Sequence, residues 1–162
     1  MDRQEVMERI AALSDRSFRA VENTVRALEQ MKENRYPFLG NFLNVEKEES
    51  ADPDVFVCSM PIVPEVLNPY RIVYGGVTAT LHDMAMGWML EHRFEPGSKF
   101  VTIDMQVNYH NPGKGKRLKA EARLVHQARE LLQVACEIRG DQGELVSTSS
   151  ATFLQLVRKE SV

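Results

Sequence analysis

The chain has 162 residues, of which 43% are hydrophobic and 27% charged, and its formal net charge is -3. These values are ordinary for a folded globular domain and exclude a disordered or collagen-like chain, and the acidic balance argues against a nucleic-acid partner. No apolar run approaches the ~20 residues that span a bilayer, and the N-terminal sequence MDRQEVMERIAALSDR is too charged for a signal peptide. We therefore expect a cytoplasmic protein that does not contact a membrane.

The N-terminal segment is predicted to be helical. Apolar residues recur three and four positions apart from Asp2 to about Asn34, which is the spacing of an amphipathic helix. Ser14 and Asp15 offer a new N-cap, so we expect an interruption there. Acidic and basic residues balance in this segment, which argues against a DNA-reading headpiece. We assign residues 1–36 to a helical extension that packs against the main body or a partner subunit, and residues 37–162 to a second domain.

The second domain is predicted to be a sheet with one buried helix. Two strands are expected at FLNVEKEES and DVFVCSMPIV, on either side of the turn signal Asp52-Pro53-Asp54. A loop then leads to a helix from about Gly76 to Glu91, which is long and carries few charges. We expect its buried face to comprise Val77, Leu81, Met84, Ala85, Trp88 and Met89. Four more strands follow, at FVTIDMQVNYH, RLKAEARLVHQA, LLQVACEIRG and ELVSTSSATFLQLV. This order predicts an α+β domain in which one antiparallel sheet curls around one helix.

The cysteines and histidines do not suggest a metal centre. Cys58 and Cys136 each alternate with apolar neighbours in strand-like runs, so we expect reduced core residues. The histidines are scattered without the short spacing of metal ligands. We assign no metal.

The start of the buried helix combines two features that suit catalysis. The first N–H groups of a helix lack intrahelical partners and carry positive potential, and Gly75 and Gly76 leave that backbone open to a ligand. Such a place suits a developing oxyanion. Asp83 follows Gly76 by about two turns and points from roughly the same side, where a carboxylate can act as general base or nucleophile. The spacing alone favours the structural alternative, in which Asp83 serves as a cap or pairs with a lysine or arginine.

The run NPYRIVYGGVTATLHD resembles the signature of hotdog-fold acyl-CoA thioesterases, in particular the phenylacetate-pathway (PaaI-like) branch. That signature has Asn, six residues, Gly-Gly, and then Thr-Leu-x-Asp. The later strands, with their Tyr-x-x-Pro turn, resemble the rest of the domain, and the similarity covers about Phe42 to Leu156. The resemblance implies a hotdog fold, a curved antiparallel sheet around the helix, in a homodimer or homotetramer with active sites at the dimer interface.

The resemblance also implies roles for four residues toward an acyl-CoA substrate, with no cofactor. Asp83 would be the base or nucleophile, and the backbone N–H of Gly75 would polarise the thioester carbonyl. Asn68 would position the carbonyl or the water. Thr102 falls where the family often has a Ser or Thr that holds the attacking water.

Tyr74 departs from the family pattern, which usually reads His-Gly-Gly where this chain has Tyr-Gly-Gly. The backbone oxyanion contact would survive, and Tyr74 and Gly76 would still adjoin the substrate. Tyrosine donates a hydrogen bond but exchanges protons poorly at neutral pH. Reduced rate, altered substrate and lost activity are therefore all open outcomes.

Three further groups have both a functional and a structural interpretation. Lys114, Lys116 and Arg117 form a basic turn that could hold the phosphates of coenzyme A, or a solvated turn. The methionines of the helix and Trp88 could line an acyl pocket or pack as core. His82 is interpreted as a packing residue, because neighbouring helix positions point about 100° apart and it does not face Asp83.

Three functions remain to be separated. The first is hydrolysis of an acyl-CoA thioester, and the alternative is a non-catalytic acyl-CoA or lipid-binding hotdog module that acts as a sensor. A third, hydration or dehydration of acyl thioesters, ranks below both, because such relatives use a histidine paired with an acidic residue. Neither His82 nor His110 lies in a matching motif.

Overall fold

The computed structural model describes residues 1–34 and 37–156. The chain divides into two compact units between Val45 and Glu46. The boundary predicted from the sequence, after Tyr36, falls on a residue outside the described ranges and stays a prediction.

In its described residues the first unit has three helices, α1 (Arg3–Ala11), α2 (Asp15–Gln30) and α3 (Phe38–Phe42). The interruption expected near Ser14 is confirmed, because the Ser14 hydroxyl accepts a hydrogen bond from the N–H of Ser17 at 3.3 Å and caps α2.

Helix α3 ends at Phe42, the first residue of a predicted strand, and a turn follows it up to Asn44. Phe38 and Phe42 are four residues apart and stack at 5.4 Å, a contact that helical spacing brings about. The side-chain amide of Asn23 donates to the carbonyl of Phe42 at 3.0 Å and ties α3 to α2. The strand prediction was therefore wrong before Glu46, because a local aromatic pair and a contact from α2 outweigh the alternating pattern.

As far as residue 156, the second unit is a six-stranded antiparallel sheet with the order β1-β2-β4-β5-β6-β3, and one long helix, α4, packs against it. A single 3-10 turn, Pro64–Val66, precedes the loop that leads to α4. The α+β architecture expected from the sequence is confirmed. The last four strands begin within a residue of their predicted starts, although Val157 lies outside the described residues. The elements are β1 (Glu46–Glu48), β2 (Val55–Pro61), α4 (Gly75–Arg93), β3 (Lys99–Tyr109), β4 (Arg117–Ala128), β5 (Leu131–Arg139) and β6 (Leu145–Leu156).

Helix α4 is buried along a face slightly rotated from the predicted one. Leu81, Ala85 and Met89 are buried as expected, and Met86 and Leu90 join them in the core. The methionines thus divide between core and surface, because Met84 is only half-buried and, like Trp88, lines a cavity. No helix within the described ranges is both long and apolar enough to cross a membrane.

The cysteines are core residues, as predicted. Cys58 and Cys136 are free and buried. Burial raises the pKa of Cys58 to about 12, with a smaller contribution from Glu48, and raises the pKa of Cys136 as well. Both are therefore unreactive thiols at neutral pH. Among the described residues, no cluster of three or more His, Cys, Asp or Glu side chains could hold a metal ion.

Candidate active site along helix α4

Helix α4 starts with Gly75 at a cavity and Gly76 at the protein surface. Tyr74 is the N-cap: its N–H donates to the carbonyl of Val66 at 2.9 Å, and its own carbonyl accepts from the N–H of Thr78 at 3.0 Å. A methyl group added at Gly76 would meet no atom within 4 Å, so the backbone is open there to an approaching ligand. The Tyr74 side chain is 48% exposed at the same helix end.

Asn68 shapes the loop that leads into this helix. Its side-chain carbonyl accepts hydrogen bonds from the N–H of Tyr70 at 2.9 Å and of Ile72 at 3.3 Å. Because both contacts are to N–H donors, the accepting atom is the amide oxygen. The NH2 group is then the part of the Asn68 side chain that can donate a hydrogen bond to a ligand. Asn68 and Gly75 line one cavity of about 320 Å³, here called the Gly75 cavity.

Asp83 and Thr102 form a second pair. The Thr102 hydroxyl, on β3, donates to Oδ1 of Asp83 at 2.8 Å. Both line a cavity of about 210 Å³, here called the Asp83 cavity, whose walls are completed by Met84, Gly87, Trp88, Glu91, Phe100 and Phe153. The half-buried carboxylate therefore accepts a hydrogen bond from a hydroxyl and borders a cavity whose walls are partly apolar.

The two pairs are separate within one chain. Gly75 and Asp83 are eight residues apart on α4, which corresponds to about 12 Å along the helix axis. A carbonyl held by the N–H of Gly75 is therefore beyond hydrogen-bond reach of Asp83 in the same chain. The four residues predicted from the sequence therefore form two groups within one chain. Asn68 lies with Gly75, and Thr102 lies with Asp83.

His82 belongs to the core and not to either cavity. Its ring is fully buried, with Nε2 2.8 Å from the Ser147 hydroxyl and Nδ1 2.8 Å from the Ser149 hydroxyl, both on β6. Desolvation by burial lowers its pKa to about 4. His82 is therefore neutral at physiological pH and fastens α4 to the sheet, in agreement with its interpretation as a packing residue.

The basic turn between β3 and β4 is only partly available to a ligand. The backbone N–H groups of Lys116 and Arg117 donate to the Asp141 carboxylate at 2.5 and 3.0 Å. The Arg117 guanidinium forms an ion pair with Glu48 at 3.0 Å. Lys114 and Lys116 are exposed, and the turn begins at the Gly75 cavity, which Gly113 helps to line. The two lysines are thus better placed for an anionic ligand than Arg117.

A third cavity, of about 610 Å³, lies at the opposite end of α4. Of the residues to which the sequence assigned a possible functional role, it contains only Met89. Both of its basic side chains already have partners: Arg93 pairs with Asp54 at 2.7 Å, and the Lys47 ammonium lies 5.7 Å from the centre of the Phe56 ring. Size alone therefore does not identify the site.

Comparisons with known proteins agree with this fold. The family model of the thioesterase superfamily matches residues 70–147. Acyl-coenzyme A thioesterase 13 of Mus musculus is 29% identical over 107 residues, which are 64% of this chain and 74% of the mouse protein. The crystal structure of the BH2602 protein from Bacillus halodurans with CoA is 32% identical with a TM-score of 0.84, and the match covers 93% of this chain and 99% of that chain. The E. coli PaaI protein shares the fold, with 20% identity and a TM-score of 0.68 over 84% of this chain and 95% of its own.

An antiparallel sheet packed on one long helix, with a glycine pair at the helix start and a carboxylate two turns later, defines a protein of the hotdog class. This chain belongs to the thioesterase superfamily. The resemblance noted in the sequence is thereby confirmed.

Proposed function

We propose that this protein is an acyl-CoA thioesterase, which hydrolyses a thioester to a carboxylic acid and free CoA in the cytoplasm without a cofactor. The observation that carries the proposal is the Asp83 carboxylate, which is held by the Thr102 hydroxyl at 2.8 Å at the edge of a cavity. Membership of the thioesterase superfamily and a structural neighbour solved with CoA support the same substrate class.

The proposed enzyme is a homodimer, alone or paired into a homotetramer, in which two subunits complete each site. Strand β3 ends the sheet order and is eleven residues long, and Val101 and Ile103 on it are 43% and 55% exposed. A long, partly apolar edge strand is usually covered in the native state. Two-fold pairing along this edge would run the two α4 helices antiparallel and bring Gly75 of one subunit opposite Asp83 of its partner. This arrangement would close the ~12 Å gap between the two groups.

In the proposed reaction the thioester carbonyl accepts hydrogen bonds from the N–H of Gly75 and the NH2 group of Asn68. Asp83 removes a proton from water, whose oxygen attacks the carbonyl carbon, and the carbonyl electron pair moves to the oxygen at Gly75. The electron pair on that oxygen then re-forms the carbonyl, the C–S bond breaks, and the sulfur of CoA takes the proton that Asp83 had accepted, which leaves Asp83 as a carboxylate. A direct attack by Asp83, followed by hydrolysis of the resulting anhydride, is the other form of the same proposal.

Around this centre the substrate contacts are assigned by position. Tyr74 and Gly76 flank the thioester at the helix start. Lys114 and Lys116, on the turn that begins at the Gly75 cavity, attract the CoA phosphates. Arg117 adds to that attraction once its guanidinium has left Glu48. The alternative function, acyl-CoA binding without turnover, is favoured by one observation: Tyr74 replaces the family's histidine at the N-cap and is half exposed there.

The test is release of free thiol from a panel of acyl-CoAs, from short aliphatic to long-chain and aromatic. We expect the wild-type protein to release CoA from at least one class at a rate proportional to enzyme concentration. A folded dimer that binds acyl-CoA in calorimetry but releases no thiol across the panel would contradict hydrolysis and establish the binding module instead.

A further inference from the structure

Tyr109, the last residue of β3, contacts the first residue of α4. Its hydroxyl donates to the carbonyl of Gly75 at 2.7 Å. A methyl group added at Gly75 would lie 3.4 Å from both Cζ and Oη of Tyr109, so the ring packs directly against the glycine. Tyr109 also lines the Gly75 cavity together with Asn68. Neither the signature resemblance nor the comparisons assign this tyrosine a role.

A β-bulge explains how one strand reaches both ends of the site. Thr102 and Tyr109 are seven positions apart, and in a regular strand residues an odd number apart point to opposite faces. Their register partners on β6, Phe153 and Ser147, are an even number apart and both buried. The register of β3 shifts between Thr102 and Asp104, and this irregularity turns both side chains toward α4.

The start of α4 needs such a restraint. Glycine fixes its own backbone poorly, and the first N–H groups of a helix have no intrahelical partner to hold their direction. The carbonyl of Gly75 has two lone pairs, so it can accept a hydrogen bond from Tyr109 and also a backbone hydrogen bond within α4. The single hydroxyl proton of Tyr109 is occupied by this contact, and the tyrosine therefore does not donate to a thioester oxygen at the same time.

We propose that Tyr109 is a positioning residue for the oxyanion donor: its hydroxyl holds the Gly75 carbonyl, limits rotation of the Gly75 backbone on that side, and so keeps the N–H of Gly75 directed at the reacting carbonyl. This inference rests on the proposed thioesterase function. Because the restraint matters most when charge develops on the oxygen, its loss lowers kcat and leaves KM unchanged.

The test is Tyr109→Phe, which removes the hydroxyl and keeps the ring against Gly75. We expect kcat for acyl-CoA hydrolysis to fall about tenfold, the equivalent of one ordinary hydrogen bond, with KM and the thermal midpoint as in the wild type. The matched control is Tyr70→Phe, since Tyr70 is 83% exposed and lies in the loop that leads into α4. This control is expected to leave kcat, KM and the thermal midpoint unchanged.

A second readout does not depend on turnover. Amide hydrogen exchange at Gly75, Gly76 and Val77 is expected to accelerate several-fold in Tyr109→Phe and to stay at the wild-type rate in Tyr70→Phe. If the wild type releases no thiol but exchange accelerates, the proposed function fails and the restraint of Gly75 by Tyr109 stands. Unchanged exchange, an unchanged kcat in an active protein, or a loss confined to KM would each overturn the positioning role.

Discussion

Replacement of Asp83 by asparagine is expected to lower kcat for acyl-CoA hydrolysis by about 10²–10⁴-fold, the range that a general base contributes. The amide cannot take the proton of the attacking water or attack the thioester as a carboxylate. The side-chain oxygen of asparagine can still accept the hydrogen bond that the Thr102 hydroxyl donates at 2.8 Å, so the local structure is retained. Steady-state thiol release with purified protein measures the effect.

Thr102→Val is the matched control for this prediction. It removes the hydroxyl that orients the carboxylate but leaves the carboxylate itself, and we expect an intermediate loss of about tenfold in kcat. Equal thermal midpoints for the three proteins would show that the rates report chemistry. A kcat for Asp83→Asn within twofold of the wild type would refute the assignment of Asp83 as base or nucleophile.

The second large effect concerns stability in acid and arises from His82. Burial lowers its pKa in the folded protein to about 4, whereas an unfolded histidine titrates near 6.5. Between these values the unfolded chain binds a proton that the folded chain does not, so the free energy of unfolding decreases as the pH falls. The free energy of unfolding retains this contribution in full above pH 6.5 and loses it progressively between pH 6.5 and about pH 4. The total loss is about 3 kcal/mol.

Urea unfolding at pH 7, 5.5 and 4.5 measures this slope. In His82→Gln the side chain retains hydrogen-bonding groups for Ser147 and Ser149 but does not titrate, so we expect lower stability at pH 7 and a shallower decline in acid. His126→Gln, at an exposed position on β4, serves as the control and is expected to keep the wild-type slope. Parallel slopes for the wild type and His82→Gln would contradict the role of His82.

Local patterns in the sequence predict most of the secondary structure of the second unit. The alternation of apolar residues gives β4 from Arg117 to Ala128 without error, and Ser14 predicts the break between α1 and α2. The helix α3 was missed because its pattern is too short to show a period. The rotation of the buried face of α4 was missed as well, because the serines that satisfy His82 come from β6, 65 and 67 residues later in the chain.

The candidate site was only partly predictable for the same physical reason. The glycine pair and Asp83 are visible as a motif, but the contact between Asp83 and Thr102 depends on the register of β3 against β6. Tyr109 carried a signal in the Tyr-x-x-Pro turn, yet only the bulge shows which way its hydroxyl points. Gly75 and Asp83 line two different cavities because of the length of helix between them. The motif alone was also compatible with one site in a single chain.

The most direct test of the central claim is complementation between two inactive subunits. One subunit carries Asp83→Asn. The other carries Asn68→Asp, which keeps the oxygen that accepts from Tyr70 and Ile72 and removes the amide donor. Heterodimers are isolated through two different affinity tags and assayed for thiol release against each homodimer. In a heterodimer with shared sites, one of the two sites combines an intact Asn68 with an intact Asp83 from the partner.

The account predicts that the heterodimer recovers about half of the wild-type rate, because one of its two symmetric sites is intact. Each homodimer is expected to stay at least about 10²-fold below the wild type, the loss that follows from removal of a base or of one oxyanion donor. A heterodimer no faster than the mean of its two parents would contradict a site shared between subunits and would place the chemistry within a single chain.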